Sequence, residues 1–170
     1  QVRRTPEFNN APRYVDTGSI SADDQMTYSL EAYWRNGPYM LGFEYLGTDV
    51  DSPQTGDPFF NGYHLTGSWA ITGESRAYRK RSGTFDPLPI ARPVNQGGWG
   101  AVELAFRYSN TDLTDGTVDG GEMDIYSLGV NWWFARNAHF GVNYRYITLD
   151  RAGLEGTSSG LNARLLLMLD

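Results

Sequence analysis

The stretch "DIYSLGVNWWF", residues 124–134, decides the fold. Tyr126, Leu128, Val130, Trp132 and Phe134 fall on one parity, and Ser127, Gly129 and Asn131 on the other. A period of two separates the faces of a strand, whereas a helix repeats every 3.6 residues. After the short turn "ARNA", Ala135 to Ala138, the pattern returns in "HFGVNYRYITL", residues 139–149. There Phe140, Val142, Tyr144 and Tyr146 oppose Gly141, Asn143 and Arg145.

Outward from this pair the same alternation recurs along the chain. "MTYSLEAYW" sets Met26, Tyr28, Leu30, Ala32 and Trp34 against Thr27, Ser29, Glu31 and Tyr33. "YMLGFEYL", after Arg35-Asn36-Gly37-Pro38, sets Tyr39, Leu41, Phe43 and Tyr45 against Gly42 and Glu44. "GYHLTGSWAIT" sets Tyr63, Leu65, Trp69 and Ile71 against His64, Thr66, Ser68 and Ala70. "WGAVELAFRYS" sets Val102, Leu104, Phe106 and Tyr108 against Glu103 and Arg107. "LNARLLLML" sets Leu161, Ala163, Leu165, Leu167 and Leu169 against Asn162 and Arg164. The reading is all-β, with about seven strands of roughly 8–11 residues, the length a tilted strand needs to cross a bilayer.

Bulk properties bound what such strands can build. The chain has 170 residues, enough for one domain and too short for two comfortable ones. It contains no cysteine, which removes disulfides and thiolate metal sites. No apolar run approaches the roughly 20 residues of a membrane helix. The opening "QVRRTPEFNNAPRYV" has the look of an internal segment and not of a leader. Aromatics gather at the strand ends, at Trp34, Tyr39, Trp99, Tyr108, Trp132, Phe134, Phe140 and Tyr146. Interfacial girdles of transmembrane barrels have this arrangement. The alternation alone leaves two readings: a soluble sandwich with its apolar face inward, or a membrane barrel with that face toward lipid.

The connections favour the barrel. Short turns, Arg35 to Pro38 and Ala135 to Ala138, alternate with longer polar stretches at Gly47 to Asn61, Asn110 to Asp124 and Asp150 to Gly160. Outer-membrane barrels have short periplasmic turns and long extracellular loops. One connection breaks the rule. Residues 73–98 fall on the periplasmic side by parity, yet the segment is long, and it opens with "GESRAYRKRSGTF". Arg76, Arg79, Lys80 and Arg81 crowd this stretch in a chain of net charge −6.

The run from "GYHLTGSWAIT" through "GESRAYRKRSGTF" to "GGWGAVELAFRYS", together with "GGEMDIYSLGVNWWFARNAHFGVNYRYI", resembles the phosphate-selective porin O and P family. The likeness is good over roughly Gly62 to Asp150 and looser elsewhere. It implies a sixteen-stranded, antiparallel, up-and-down transmembrane β-barrel in the bacterial outer membrane, assembled as a homotrimer. This chain would be a single domain, 1–170, supplying the C-terminal part of that barrel. The remaining strands would come from missing N-terminal sequence or from another chain. The resemblance also implies that segment 73–98 is a basic turn folded toward the pore, in a protein that is not an enzyme and needs no cofactor. Its solutes would be phosphate, polyphosphate or other small anions.

The candidate anion-binding residues are Arg76, Arg79, Lys80 and Arg81, then Arg92. The polar-parity strand residues Arg107, Arg145 and Arg164 extend the track. Guanidinium groups replace lost phosphate hydration with bidentate, charge-assisted bonds. The competing reading of the basic run is a solvated turn. A general or other-solute porin, and a soluble β-sheet binding protein, are the alternative functions.

Other chemistry is sparse. Asp112, Asp115, Asp119, Glu122 and Asp124 crowd one loop, and Asp49, Asp51 and Asp57 another, without EF-hand spacing. "GTSSG", Gly156 to Gly160, matches a hydrolase elbow in letters but lies between strands. His64 and His139 are far apart in sequence, so no shared metal site is expected. No nucleic-acid platform is present beyond the one short basic run. The parity of Leu165, Leu167 and Leu169 places the position after Asp170 on the lipid face, where porins usually end in an aromatic.

Overall fold

The computed structural model describes residues 1–7 and 11–168. The readings at Leu169 and Asp170 lie outside those residues. Two short strands, β1 (Arg3–Arg4) and β2 (Val15–Asp16), pair antiparallel. The body is one sheet built from β3 (Asp24–Asn36), β4 (Tyr39–Asp51), β5 (Phe59–Ala70), β8 (Ala101–Asp115), β9 (Val118–Ala135), β10 (Ala138–Arg151) and β11 (Leu154–Leu167). Between β5 and β8 a small hairpin, β6 (Tyr78–Arg79) with β7 (Thr84–Phe85), precedes a 3₁₀ turn at Val94–Gln96. That turn is the one helical element among the described residues, and no helix there is long and apolar enough to cross a membrane.

Every strand of the large sheet pairs antiparallel with its neighbour in chain order, β3-β4-β5-β8-β9-β10-β11. The sequence-expected up-and-down all-β architecture is therefore present. The sheet does not close on itself, and β3 and β11 are its edges.

The register fixes the faces. Trp34, Leu41, Gly67, Phe106, Leu128, Tyr144 and Leu161 stand in one row across all seven strands. Tyr28, Leu41, Trp69, Leu104, Leu128 and Val142 share that face and do not converge on a closed core. Leu128 is 59% exposed and Leu161 71%. From Phe134 to Tyr126 the apolar band measures roughly 27 Å along the strand, or about 20 Å across a bilayer at a barrel's usual tilt. An exposed apolar face of this extent has no place in water.

Two of the expected long loops turn out to be strand. β8 and β9 run on to a two-residue turn at Gly116-Thr117, and β10 and β11 meet at Ala152-Gly153. Of the three expected loops, only the first keeps a stretch without strand, residues 52–58. The reason is a change of side. Past the tyrosine row Tyr108, Tyr126 and Tyr146, the apolar face turns polar, with Asn110, Asp112, Asp124 and Glu122. The buried apolar residues Val50, Phe60, Leu113, Met123, Ile125 and Ile147 now sit on the opposite face. The N-terminal segment covers them: Val15 is fully buried in this cluster, and Val2, Tyr14 and Ile20 pack against it. Arg151 ties this cover down by donating to the carbonyls of Tyr14 and Asp16.

Leu128→Arg tests the side on which lipid lies. At a bilayer midplane the change is expected to cost about 2–4 kcal/mol, read by denaturant unfolding from lipid vesicles. A near-zero cost, as for a water-facing leucine, would contradict the assignment.

Candidate anion-binding surface

The polar face carries its charges at two levels. The first lies at the end where β5 hands over to the inserted segment. Arg76 Nη2 donates to Glu103 Oε1 at 2.9 Å and Oε2 at 3.0 Å. Asn131 Nδ2 donates to the same carboxylate at 3.2 Å. Arg76 Nη1 reaches the carbonyl of Asp86 at 3.2 Å, and its guanidinium lies 5.4 Å from the centre of the Trp133 ring. Trp133 in turn stacks on His139, ring centres 4.7 Å apart. The Glu103 side chain is 5% exposed, so its charge depends on these partners.

This pairing anchors the segment against the sheet. Phe85 packs on Tyr33 with ring centres 5.8 Å apart, and Leu88 is buried with Ala70 and Ala101. Arg35 donates to the Arg76 carbonyl, and Arg79 pairs with Asp86. The return to β8 needs glycine. A Cβ at Gly98 would stand 2.0 Å from the Arg92 carbonyl oxygen. One at Gly100, where φ is +75°, would stand 2.2 Å from that of Trp133. Both obstacles are backbone and cannot swing aside.

The second level lies four residues further along β8, about 13 Å away. Arg107 on β8, Ser127 on β9 and Arg145 on β10 stand in one row. The N-terminal segment adds Arg4, whose Nη1 donates to Thr111 Oγ1 at 2.6 Å. It also brings Glu7, which lies 2.9 Å from Arg4 Nη2, 3.5 Å from Arg107 Nη2 and 4.0 Å from Arg145 Nε. Arg107 Nε and Ser127 Oγ are buried and make no hydrogen bond among the described residues. Beside them a cleft of about 470 Å³ opens, lined by Arg3, Arg4, Arg107 and His64, with Glu31 and Glu44 also on its wall. Tyr33 donates its hydroxyl to Glu44, and His64 Nε2 stands 3.4 Å from the same carboxylate.

The sequence pattern of the family described as "Phosphate-selective porin O and P" matches residues 1–167. The chain belongs to that family. An uncharacterized protein of Caulobacter vibrioides is 31% identical over 133 residues, 78% of this chain and 26% of that protein. Porin O of Pseudomonas aeruginosa is 29% identical over 126 residues, 66% of this chain and 27% of that porin. The chain thus spans about a quarter of the length of these relatives.

Within this member of the porin O and P family, the sequence-expected residues separate into distinct settings. Arg107 and Arg145 stand together in one row. Arg76 and Arg79 are engaged by Glu103 and Asp86. Lys80 and Arg81 are exposed at the tip of the β6–β7 hairpin. Arg92 is exposed and donates Nε to the Gln96 carbonyl at 3.2 Å. Arg164 is exposed, in the row of Asn131 and Glu103. Arg4 and Glu7 were absent from the expected set. Their signal would have been the switch of apolar parity at Leu113 and Met123, which calls for a covering segment. Among the described residues no three acidic or histidine side chains converge as a metal-ligand set. "GTSSG" runs inside β11 without any strand–turn–helix.

Glu103→Gln leaves the Arg76 charge without its carboxylate. Removing one partner of a buried pair costs about 3–5 kcal/mol. Part of that cost is expected as local opening of residues 73–98, read as trypsin cleavage after Arg79, Lys80 and Arg81 faster by on the order of tenfold. Unchanged cleavage would show that contacts other than the Arg76–Glu103 pair, among them Leu88, Phe85 and the Arg35 bond to the Arg76 carbonyl, hold the segment.

Proposed function

We propose that this chain forms part of the wall of an outer-membrane porin that passes anions, phosphate or polyphosphate among them, by passive diffusion past arginine side chains. The row Arg107–Ser127–Arg145, joined by Arg4, is the observation that carries the reading. Two guanidinium groups two strands apart, with a hydroxyl between them, offer a tetrahedral oxyanion several donors in fixed directions. A narrow lumen with low-dielectric walls focuses their field and raises the local anion concentration. Further cations at Arg164 and on the hairpin, Lys80 and Arg81, give weaker stations in series, so that an ion can enter and still leave.

The apolar face meets lipid in this reading, and the polar face meets water. Open edges at β3 and β11 cannot face hydrocarbon with unpaired backbone groups. The barrel therefore continues on both sides, to sixteen strands and three copies as the family resemblance implies. Segment 73–98 lies inside the pore, where Arg76 acts first as an anchor and only its neighbours remain for solute. This sharing of cations with Glu103 and Asp86 is what favours the second reading, a porin of broader solute range on the same fold.

Planar-bilayer conductance of the full-length porin separates the two. Phosphate is expected to block chloride current, and Arg107→Gln with Arg145→Gln to raise the half-blocking phosphate concentration by about tenfold or more. Lys80→Gln with Arg81→Gln is expected to change it less. No phosphate block in the unaltered protein would favour the broader porin.

A further inference from the structure

The guanidinium groups of the second level already hold an anion, and it belongs to the chain. That anion is the carboxylate of Glu7. Its carboxylate lies 2.9 Å from Arg4, 3.5 Å from Arg107 and 4.0 Å from Arg145, and the Ser109 hydroxyl reaches it at 3.4 Å. The residue adopts φ +62°, a left-handed backbone that favours glycine and costs a glutamate free energy. The N-terminal segment is fixed close by through Val15 and through Arg151, so Glu7 is presented from a tethered arm. Its side chain is 20% exposed, open enough to be displaced toward the cleft. The arm's own anchors do not require the carboxylate. Arg4 keeps its bond to Thr111, and Val2 and Thr17 keep theirs, without it.

We infer that Glu7 is a built-in competitor for the anion site, a tethered carboxylate that an incoming phosphate must displace from Arg4, Arg107 and Arg145. The inference rests on the proposed anion pathway and specifies how that site releases its ion. Three guanidinium groups around one phosphate would bind it tightly and slow its passage. A carboxylate at high effective concentration returns as the ion leaves and restores the resting site. Arg107 Nε and Ser127 Oγ, which make no hydrogen bond among the described residues, are donors that a larger, tetrahedral anion could take up and a planar carboxylate cannot. Conduction needs binding strong enough to admit the ion and weak enough to free it. Glu7 supplies the second condition.

The test measures block of chloride current by inorganic phosphate in the full-length porin, for the unaltered protein, Glu7→Gln and Glu7→Asp. Glu7→Gln is expected to lower the half-blocking phosphate concentration by about tenfold and to lengthen the blocked intervals. Glu7→Asp, which keeps the charge, is expected to stay within a few-fold of the unaltered protein. A glutamine variant that binds phosphate more weakly would overturn the inference, because Glu7 would then be positioning the arginines. Equal block in all three would overturn it as well. Absence of phosphate block in the unaltered protein is a different failure: it removes the anion pathway itself, and the competitor with it.

Discussion

The alternation of side chains across a strand is the constraint on which everything else here depends. Each apolar residue turned to one side commits its neighbours to the other. The row through Leu41, Phe106, Leu128 and Tyr144 therefore determines that Arg107 and Arg145 share the opposite face. A slip of one residue between any two strands would bring a guanidinium to the apolar side and a leucine to the polar one. The aromatic pairs at both ends of the band, such as Tyr39 with Trp69 and Tyr108 with Tyr126, help hold that register.

The distribution of charge explains how an acidic chain can present a basic wall. Its net charge is −6, yet the carboxylates Asp112, Glu122 and Asp124 stand at the rim, on the outward face of the strand extensions. On the polar face three carboxylates are matched to particular cations, while Glu44 takes the Tyr33 hydroxyl. Glu103 takes Arg76, Asp86 takes Arg79, and Glu7 stands among Arg4, Arg107 and Arg145. The first two pairings build the inserted segment. The third stands where ions would pass. Of the basic residues close together in sequence, Arg76 and Arg79 thus serve architecture, while Arg4, Arg107 and Arg145 are joined only by the fold, around Glu7.

Strand identity and facing were legible because each strand repeats its own pattern, and local alternation needs no knowledge of partners. The stretches Asn110 to Asp124 and Asp150 to Gly160 read as loops because glycine, acidic and hydroxyl residues fill them. Alternation continued there with its sense reversed: Leu113, Met123 and Ile125 point to the face that is polar lower down. Pairings across long separations were not legible. Nothing local to Arg76 names Glu103, and nothing near Arg107 names Glu7. Glu103 did carry a clue, as a carboxylate on polar parity in a wall expected to be basic; such a group calls for a cation. The covering role of the N-terminal segment had no local sign, because "QVRRTPE" shows no alternation and is interrupted by Pro6, and among the described residues only Arg3–Arg4 and Val15–Asp16 pair there.

The central claim is that guanidinium groups on the polar face, and not the acidic rim, set the field along the pathway. The zero-current potential of the full-length porin across a KCl gradient measures this directly. The account predicts preference for chloride over potassium, maintained as salt is lowered, where unscreened fixed charge weighs most. Preference for potassium, strengthening at low salt, would show that the rim carboxylates govern passage and would contradict it.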